Sequence, residues 1–205
     1  MLALLLASLL AAATPQDEDG PPELPPLSEA QSAALAAIAD SGGRAVALAQ
    51  NDPRLDVAFH LAGGEVTAEQ LDAVVALRDR VVGLNLRGTD VTDEAVREKV
   101  SKLTELRTLH LEKTGVTDAA LPALAKLGDL ESLNLYGTKV TDAGIQNLAG
   151  MKGLRRLYIW QTGVTTAGAV ALLEQRPDLE IVGVDLPKPP RKPLVAPRPD
   201  AGDAE

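Results

Sequence analysis

The sequence predicts an α/β repeat solenoid, with a parallel β-sheet on the concave face, short helices on the convex face and a helix-plus-hairpin cap at the N-terminal end. Three observations predict it. The segments "LNLRGTDVTDEA", "LHLEKTGVTDAA", "LNLYGTKVTDAG" and "YIWQTGVTTAG" place Thr89, Thr114, Thr138 and Thr162 in register at spacings of 25, 24 and 24, and a fixed period of this length marks a stacked repeat. Within each period a two-residue apolar alternation gives way to a three-to-four-residue one, the pattern of a strand followed by a helical turn. The hydrophobic residues make up 45% of the chain but include only one Trp, two Tyr and one Phe, which suits a thin core of aliphatic layers.

The chain opens with "MLALLLASLLAAATPQDEDG". The apolar run Leu2 to Ala13 is too short to span a bilayer, carries small residues at Ala11 and Ala13, and gives way at once to acidic, Pro-rich sequence. Residues 1–13 therefore read as a secretory signal peptide cleaved near Ala13, which places the mature chain outside the cytoplasm, secreted or at the cell envelope, with no membrane insertion once the leader is removed. Residues 14–27, "TPQDEDGPPELPPL", have almost nothing to bury and read as a disordered acidic, Pro-rich spacer.

The folded domain is expected over 28–186, its cap over 28–61. Ser28 to Asp40 reads as an Ala-rich helix opened by a Ser28 and Gln31 capping box. "RAVALAQNDPRLDVAFHL" then reads as two strands around an Asn51-Asp52-Pro53 turn. Phe59 falls in the inward slot expected to match Leu84, a core position.

Five repeats and a closing strand follow. Leu106, Leu109 and Leu111 have the spacing LxxLxL, and the same slots recur as Val81, Leu84 and Leu86, as Leu130, Leu133 and Leu135, as Leu154, Leu157 and Ile159, and as Leu179, Val182 and Val184. Apolar residues three or four apart follow each strand, as in Leu121, Leu124 and Leu127 or Ile145, Leu148 and Met151, the period of a short helix. Thr141 is placed to cap such a helix, and Asp93, Asp118 and Asp142 of the recurring "VTD" are placed to complement the dipole at its N-terminus. Pro122 fits only a first turn, so that helix should be short or irregular. Thr89, Thr114, Thr138 and Thr162 are expected to form a structural ladder serving backbone groups that turn out of the strands. Steps of 25 from its ends land on Gly64 and Pro187, where the ladder breaks. Residues 187–205, "PKPPRKPLVAPRPDAGDAE", read as a disordered Pro-rich tail.

The unit LxxLxLxxTxVTD resembles a leucine-rich repeat, with Thr where the commonest consensus has Asn or Cys. "LNLRGTDVTD", "LHLEKTGVTD" and "LYIWQTGVT" are similar to repeats of secreted bacterial proteins of the planctomycete and verrucomicrobial kind, some of which carry a c-type haem domain on the same chain. The resemblance implies a leucine-rich-repeat fold over about 130 residues and leaves function open. The chain lacks CxxCH and every other Cys, so no haem role transfers to it, and disulfides and thiolate zinc sites are excluded with it.

A net charge of −9 argues against a nucleic-acid partner, which needs a basic face. No nucleophile elbow, phosphate-binding Gly loop or paired acid motif occurs, so no enzyme, cofactor or metal site is read here. His60 and His110, two repeats apart, stand roughly 10 Å from one another at the spacing of strands, too far to share a metal.

What remains is the outward strand face. Its columns are expected to run Ala58, Gly83, Thr108, Ser132, Arg156 and Ile181, then His60, Asn85, His110, Asn134, Tyr158 and Gly183, then Ala62, Arg87, Glu112, Tyr136, Trp160 and Asp185. Three of the four aromatics thus gather on the concave sheet, and Trp, Tyr and Arg dominate binding hot spots. The candidate ligand-binding residues are Arg87, His110, Glu112, Tyr136, Arg156, Tyr158 and Trp160. The expected function is non-enzymatic recognition of a protein, peptide or surface glycan. The alternatives are a structural spacer in the cell envelope and, suggested by the resemblance alone, an accessory subunit of a separately encoded enzyme such as a haem protein.

Overall fold

The computed structural model describes residues 25–50, 52–59 and 65–186. The expected signal peptide, most of the spacer, the tail, Asn51 and the positions of His60, Ala62 and Gly64 lie outside them. A seven-stranded sheet in the order β1-β2-β3-β4-β5-β6-β7 runs along the domain. Its strands are β1 Arg44–Ala49, β2 Asp52–Ala58, β3 Val81–Asn85, β4 Thr108–His110, β5 Ser132–Asn134, β6 Arg156–Tyr158 and β7 Glu180–Val182. Only β1 and β2 are antiparallel; every later pair is parallel. The helices α1 Glu29–Asp40, α2 Ala68–Ala76, α3 Asp93–Glu98, α4 Leu121–Leu124, α5 Asp142–Ile145 and α6 Thr166–Gln175 return the chain between strands. Short 3-10 turns complete the convex side of the middle repeats.

The core is a stack of aliphatic layers. Leu84, Leu109, Leu133, Leu157 and Ile181 are register partners in turn, and all are buried together with Leu86, Leu111, Leu135 and Ile159. Each such side chain contributes about 1.5–3 kcal/mol by leaving water. No layer needs a large ring because successive strands lie only about 4.8 Å apart.

At the N-terminal end, Ser28 and Gln31 form the reciprocal capping box on α1, and α1 packs on the β1–β2 hairpin. Phe59 is buried as expected, but in a different slot. Val57 pairs with Leu84, and the Phe59 N–H donates to the Asn85 carbonyl just as the Leu86 N–H donates to that of His110. Phe59 therefore matches Leu86, because the first turn is longer than the 25 residues assumed from the later period. A Cβ on Gly43 would meet the Phe59 ring at 2.6 Å and Ile38 at 2.9 Å, so the missing side chain at 43 makes room for the ring beneath α1.

The closing strand also departs from expectation. Ile181, not Val182, pairs with Leu157 and points inward. The reason is one residue fewer: Leu154 and Leu157 are three apart, whereas their buried counterparts Leu179 and Ile181 are two apart. The outward residues of β7 are consequently Glu180 and Val182.

Each ladder threonine donates its hydroxyl to the carbonyl three residues earlier, at 2.7 Å to Leu86, 2.8 Å to Leu111, 2.7 Å to Leu135 and 2.7 Å to Ile159. The bond closes the turn within a repeat. The "VTD" aspartates stand in the first helical turns as expected, and in addition they bond one repeat to the next. Asp93 accepts from the Thr117 N–H and hydroxyl at 2.8 and 2.6 Å, Asp118 from Thr141 at 2.7 and 2.6 Å, and Asp142 from Thr165 at 2.7 and 2.7 Å. Thr141 stands at the N-cap of α5 without accepting a cap bond there, whereas the equivalent Thr117 and Thr165 each donate to an aspartate and also accept a cap N–H. The last repeat has Thr166 in place of the aspartate, where no further threonine follows to be bonded. Pro122 occupies the first turn of the four-residue α4, as a proline must.

Arg176 closes the far end. Leu103, Leu127 and Met151 hold one buried slot in successive turns, each carbonyl accepting from the N–H three residues on, and Arg176 takes that slot in the last turn. Its guanidinium donates to the Met151 carbonyl, to the Leu154 carbonyl at 2.8 Å and to Asp178 at 3.0 and 2.8 Å. Near the other end the buried Arg80 donates to the Pro25 carbonyl, tying the end of the expected spacer to the domain.

Candidate functional site

The concave face is set by strand alternation and by one turn. After each outward residue Arg87, Glu112, Tyr136 and Trp160 comes a left-handed position, Gly88 (φ 68°), Lys113 (φ 54°), Gly137 (φ 68°) and Gln161 (φ 55°). Glycine adopts this conformation freely, whereas Lys113 and Gln161 do so at a cost of roughly 1–2 kcal/mol. The turns are locked to one another by backbone bonds from Gly88 to Glu112, Lys113 to Tyr136 and Gly137 to Trp160. The side chains just before the turns therefore stand in one column.

Two outward columns begin differently from expectation. Asp56 pairs with Gly83 and Ala58 with Asn85, so Asp56 heads the first column and Ala58 the second, with Glu180 and Val182 at their far ends. Asp56 fills the space over Gly83, where a Cβ would meet its carboxylate at 2.9 Å.

Tyr158 pairs with Asn134, Trp160 follows Tyr136 in the next column, and Arg156 stands on the strand of Tyr158. These four form one group. Trp160 is 53% exposed, and it borders an open cleft at the C-terminal end lined also by Val164, Thr165, Ile181, Val182 and Val184. The Lys113 ammonium lies 5.7 Å from the centroid of the Tyr136 ring, a cation–π distance. Arg156 faces Glu180 at 3.7 Å, both exposed, so the cation has a partner that the one-residue misreading of β7 concealed.

Arg87, His110 and Glu112 form a second group. Arg87 is three strands from Trp160, about 14 Å at the usual strand spacing, with Glu112 and Tyr136 between them in the column. His110 Nδ1 lies 3.0 Å from Glu112 Oε1, which also accepts from Asn134 Nδ2 at 2.8 Å. Glu112 is only 8% exposed; read as a free surface charge, it is instead a buried carboxylate that fixes the imidazole. The hydrogen bond to Glu112 raises the His110 pKa, burial opposes this, and the charges of Glu112 and Asp56 add to the rise while Arg87 works against it. For Glu112, burial pushes the pKa up, but bonds from His110 and its own backbone N–H, with the charges of His110 and Arg87, outweigh it and leave the value lowered. With His110 protonated the two form an ion pair set into the sheet.

Asn85 and Asn134, overlooked as polar fillers, accept from the N–H of Arg87 and Tyr136 at 3.0 and 3.1 Å and so orient the strand ends that carry those side chains. The signal for them is the recurrence of "LNL". Among the described residues no group of three or more His, Cys, Asp or Glu side chains is arranged to hold a metal, and no helix is long and apolar enough to cross a membrane.

One parallel strand and one helical return per turn, with leucines stacked between, define a leucine-rich-repeat solenoid. No protein-family model matches the chain, and no curated protein matches it. Solved structures similar to it include the crystal structure of an internalin from Listeria monocytogenes, with 22% sequence identity, a TM-score of 0.44, and coverage of 65% of this chain and 42% of that one.

Proposed function

We propose that the chain is a non-enzymatic binding module that recognises a protein or peptide through the C-terminal half of its concave face. One observation carries this: the single tryptophan is 53% exposed on a hydrogen-bonded sheet, beside Tyr158 and Arg156 and at the border of an open cleft that also presents Thr165, Thr166, Val182 and Asp185. A large ring left in water on a rigid platform is the kind of anchor that dominates protein recognition. Trp160 and Tyr158 would bury against the partner, Arg156 and Glu180 would select its charges, and His110 held by Glu112 would present a fixed ring nitrogen further along the sheet. The leader expected over residues 1–13 would put this binding at the cell envelope or outside the cell. Affinity capture from the native secretome tests the reading. Wild-type chain should retain a partner that the Tyr158→Ala/Trp160→Ala double variant does not; equal recovery by both would reject it.

A further inference from the structure

We infer that two copies of this chain pair through the outer edge of β1, joining their sheets into one continuous sheet. Among the described residues β1 is the terminal strand and β2 its only neighbour, so alternate peptide groups along it face away from the sheet. Among the described residues none pairs with that edge. The strand Arg44-Ala45-Val46-Ala47-Leu48-Ala49 carries no proline, no lysine and no inward charge, the features by which proteins keep an edge from pairing. Nor is it bulged. Between the pairs Ala47 with Leu55 and Ala49 with Asp52, β1 advances two residues and β2 three, so the extra residue is on β2 and β1 stays regular.

Its side chains also ask for a partner. Val46 and Leu48 are 50% and 49% exposed, and Val46 stands opposite Asp56 on the concave face. The opposite edge is different, since β7 has three residues, begins with Glu180 and is followed at once by Gly183 with φ 128°.

The occupant that fits is the same strand of a second copy, because the segment is nearly palindromic. Antiparallel pairing centred on Ala47 sets Val46 against Leu48 of the second copy, Ala45 against Ala49 and Arg44 against Gln50. Four exposed aliphatic side chains then cover one another on one face, and no like charges meet. A twofold axis of this kind keeps both concave faces on the same side, so the dimer presents two recognition sites at once.

The full chain has no cysteine, which makes a single introduced thiol a clean reporter. Two residues facing each other across a twofold axis have Cβ atoms near the separation a disulfide needs. Ala47→Cys should therefore give a disulfide-linked dimer under mild oxidation, whereas Ala45→Cys, four residues out of register with its own copy, should not. Sedimentation velocity of the wild type should show a dimer fraction that grows with concentration and vanishes in Val46→Lys, whose circular dichroism stays unchanged because Val46 is exposed. A wild type that remains monomeric over the same range, or equal cross-linking of the two cysteine variants, would overturn the proposal. So would a heterologous peptide strand recovered on β1 in place of a second copy.

Discussion

Gly183 lies flat against the backbone that carries Trp160: a Cβ on Gly183 would stand 2.5 Å from the Trp160 nitrogen and 3.0 Å from its Cα. With φ at 128° the position is also closed to other residues on conformational grounds. The end of the closing strand thus seats the exposed indole, and the fold and the recognition face meet at this contact.

Gly183→Ala should displace the Trp160 segment and cost about 1–3 kcal/mol through backbone strain. Because Trp160 is the only tryptophan, its emission maximum in the folded state should move while Trp160→Phe removes the signal entirely. Urea unfolding with an unchanged midpoint and an unshifted spectrum would show that the contact carries no strain.

Asp142 bonds across to Thr165 through two donors, whereas Thr166, at the matching position of the last turn, donates its hydroxyl to the Asp185 carbonyl at 3.3 Å. Asp142→Ala should cost about 1–2 kcal/mol, since two charge-assisted bonds at a partly exposed site are lost. Gly168→Ala should inflict a similar loss, because its Cβ would fall 2.0 Å from Asp142 Oδ1. Thr166→Asp should change stability by less than about 0.5 kcal/mol. Equal effects of Asp142→Ala and Thr166→Asp in magnitude would mean that the aspartates act on their own helices after all.

Arg176 serves the last buried carbonyls of the stack, those of Met151 and Leu154. Truncation to Ala removes the Arg176 donor from the Leu154 carbonyl and leaves the Met151 carbonyl with the Leu154 N–H alone, and should cost about 2 kcal/mol. Lys at 176 should recover only part of this, because one ammonium cannot reproduce the planar fork. Thermal unfolding of the three chains decides the matter; full rescue by Lys would contradict the geometry.

The His110–Glu112 pair gives the domain a definite pH response. His110 has a raised pKa, so its contribution is complete below its ordinary value of 6.5 and is lost as pH rises through the folded value. Glu112 has a lowered pKa, so its contribution is present above its ordinary value of 4.5 and is lost as pH falls through the folded value. The pair therefore stabilises most between about pH 4.5 and 6.5. An NMR titration of the His110 ring should give a midpoint above 6.5 that drops in Glu112→Gln, and a midpoint at or below 6.5 in the wild type would refute the ion pair.

The repeat, the strand alternation and the stacking of Tyr136 and Trp160 in one column were legible because they depend on spacing alone. Register at the ends was not: Phe59 follows a first turn that is longer than the later ones, and Ile181 stands a step of 24 after Leu157, so a fixed step of 25 misses both. Nor could local reading find the partner of Asp118, since its carboxylate reaches Thr141 in the next turn rather than its own helix. Glu112 was misjudged for a related reason. Alternation correctly points it outward, but His110 and Asn134 from the same face fold over it and remove it from water.

The central claim concerns the indole, and the most direct measurement is the affinity of a captured partner for wild type and for Trp160→Ala at one salt concentration. Loss of a buried aromatic anchor should weaken binding by about 2 kcal/mol or more, roughly thirtyfold, with the unfolding transition of the variant unchanged. Identical affinity for the two chains would place recognition elsewhere and leave the concave aromatic group without a role.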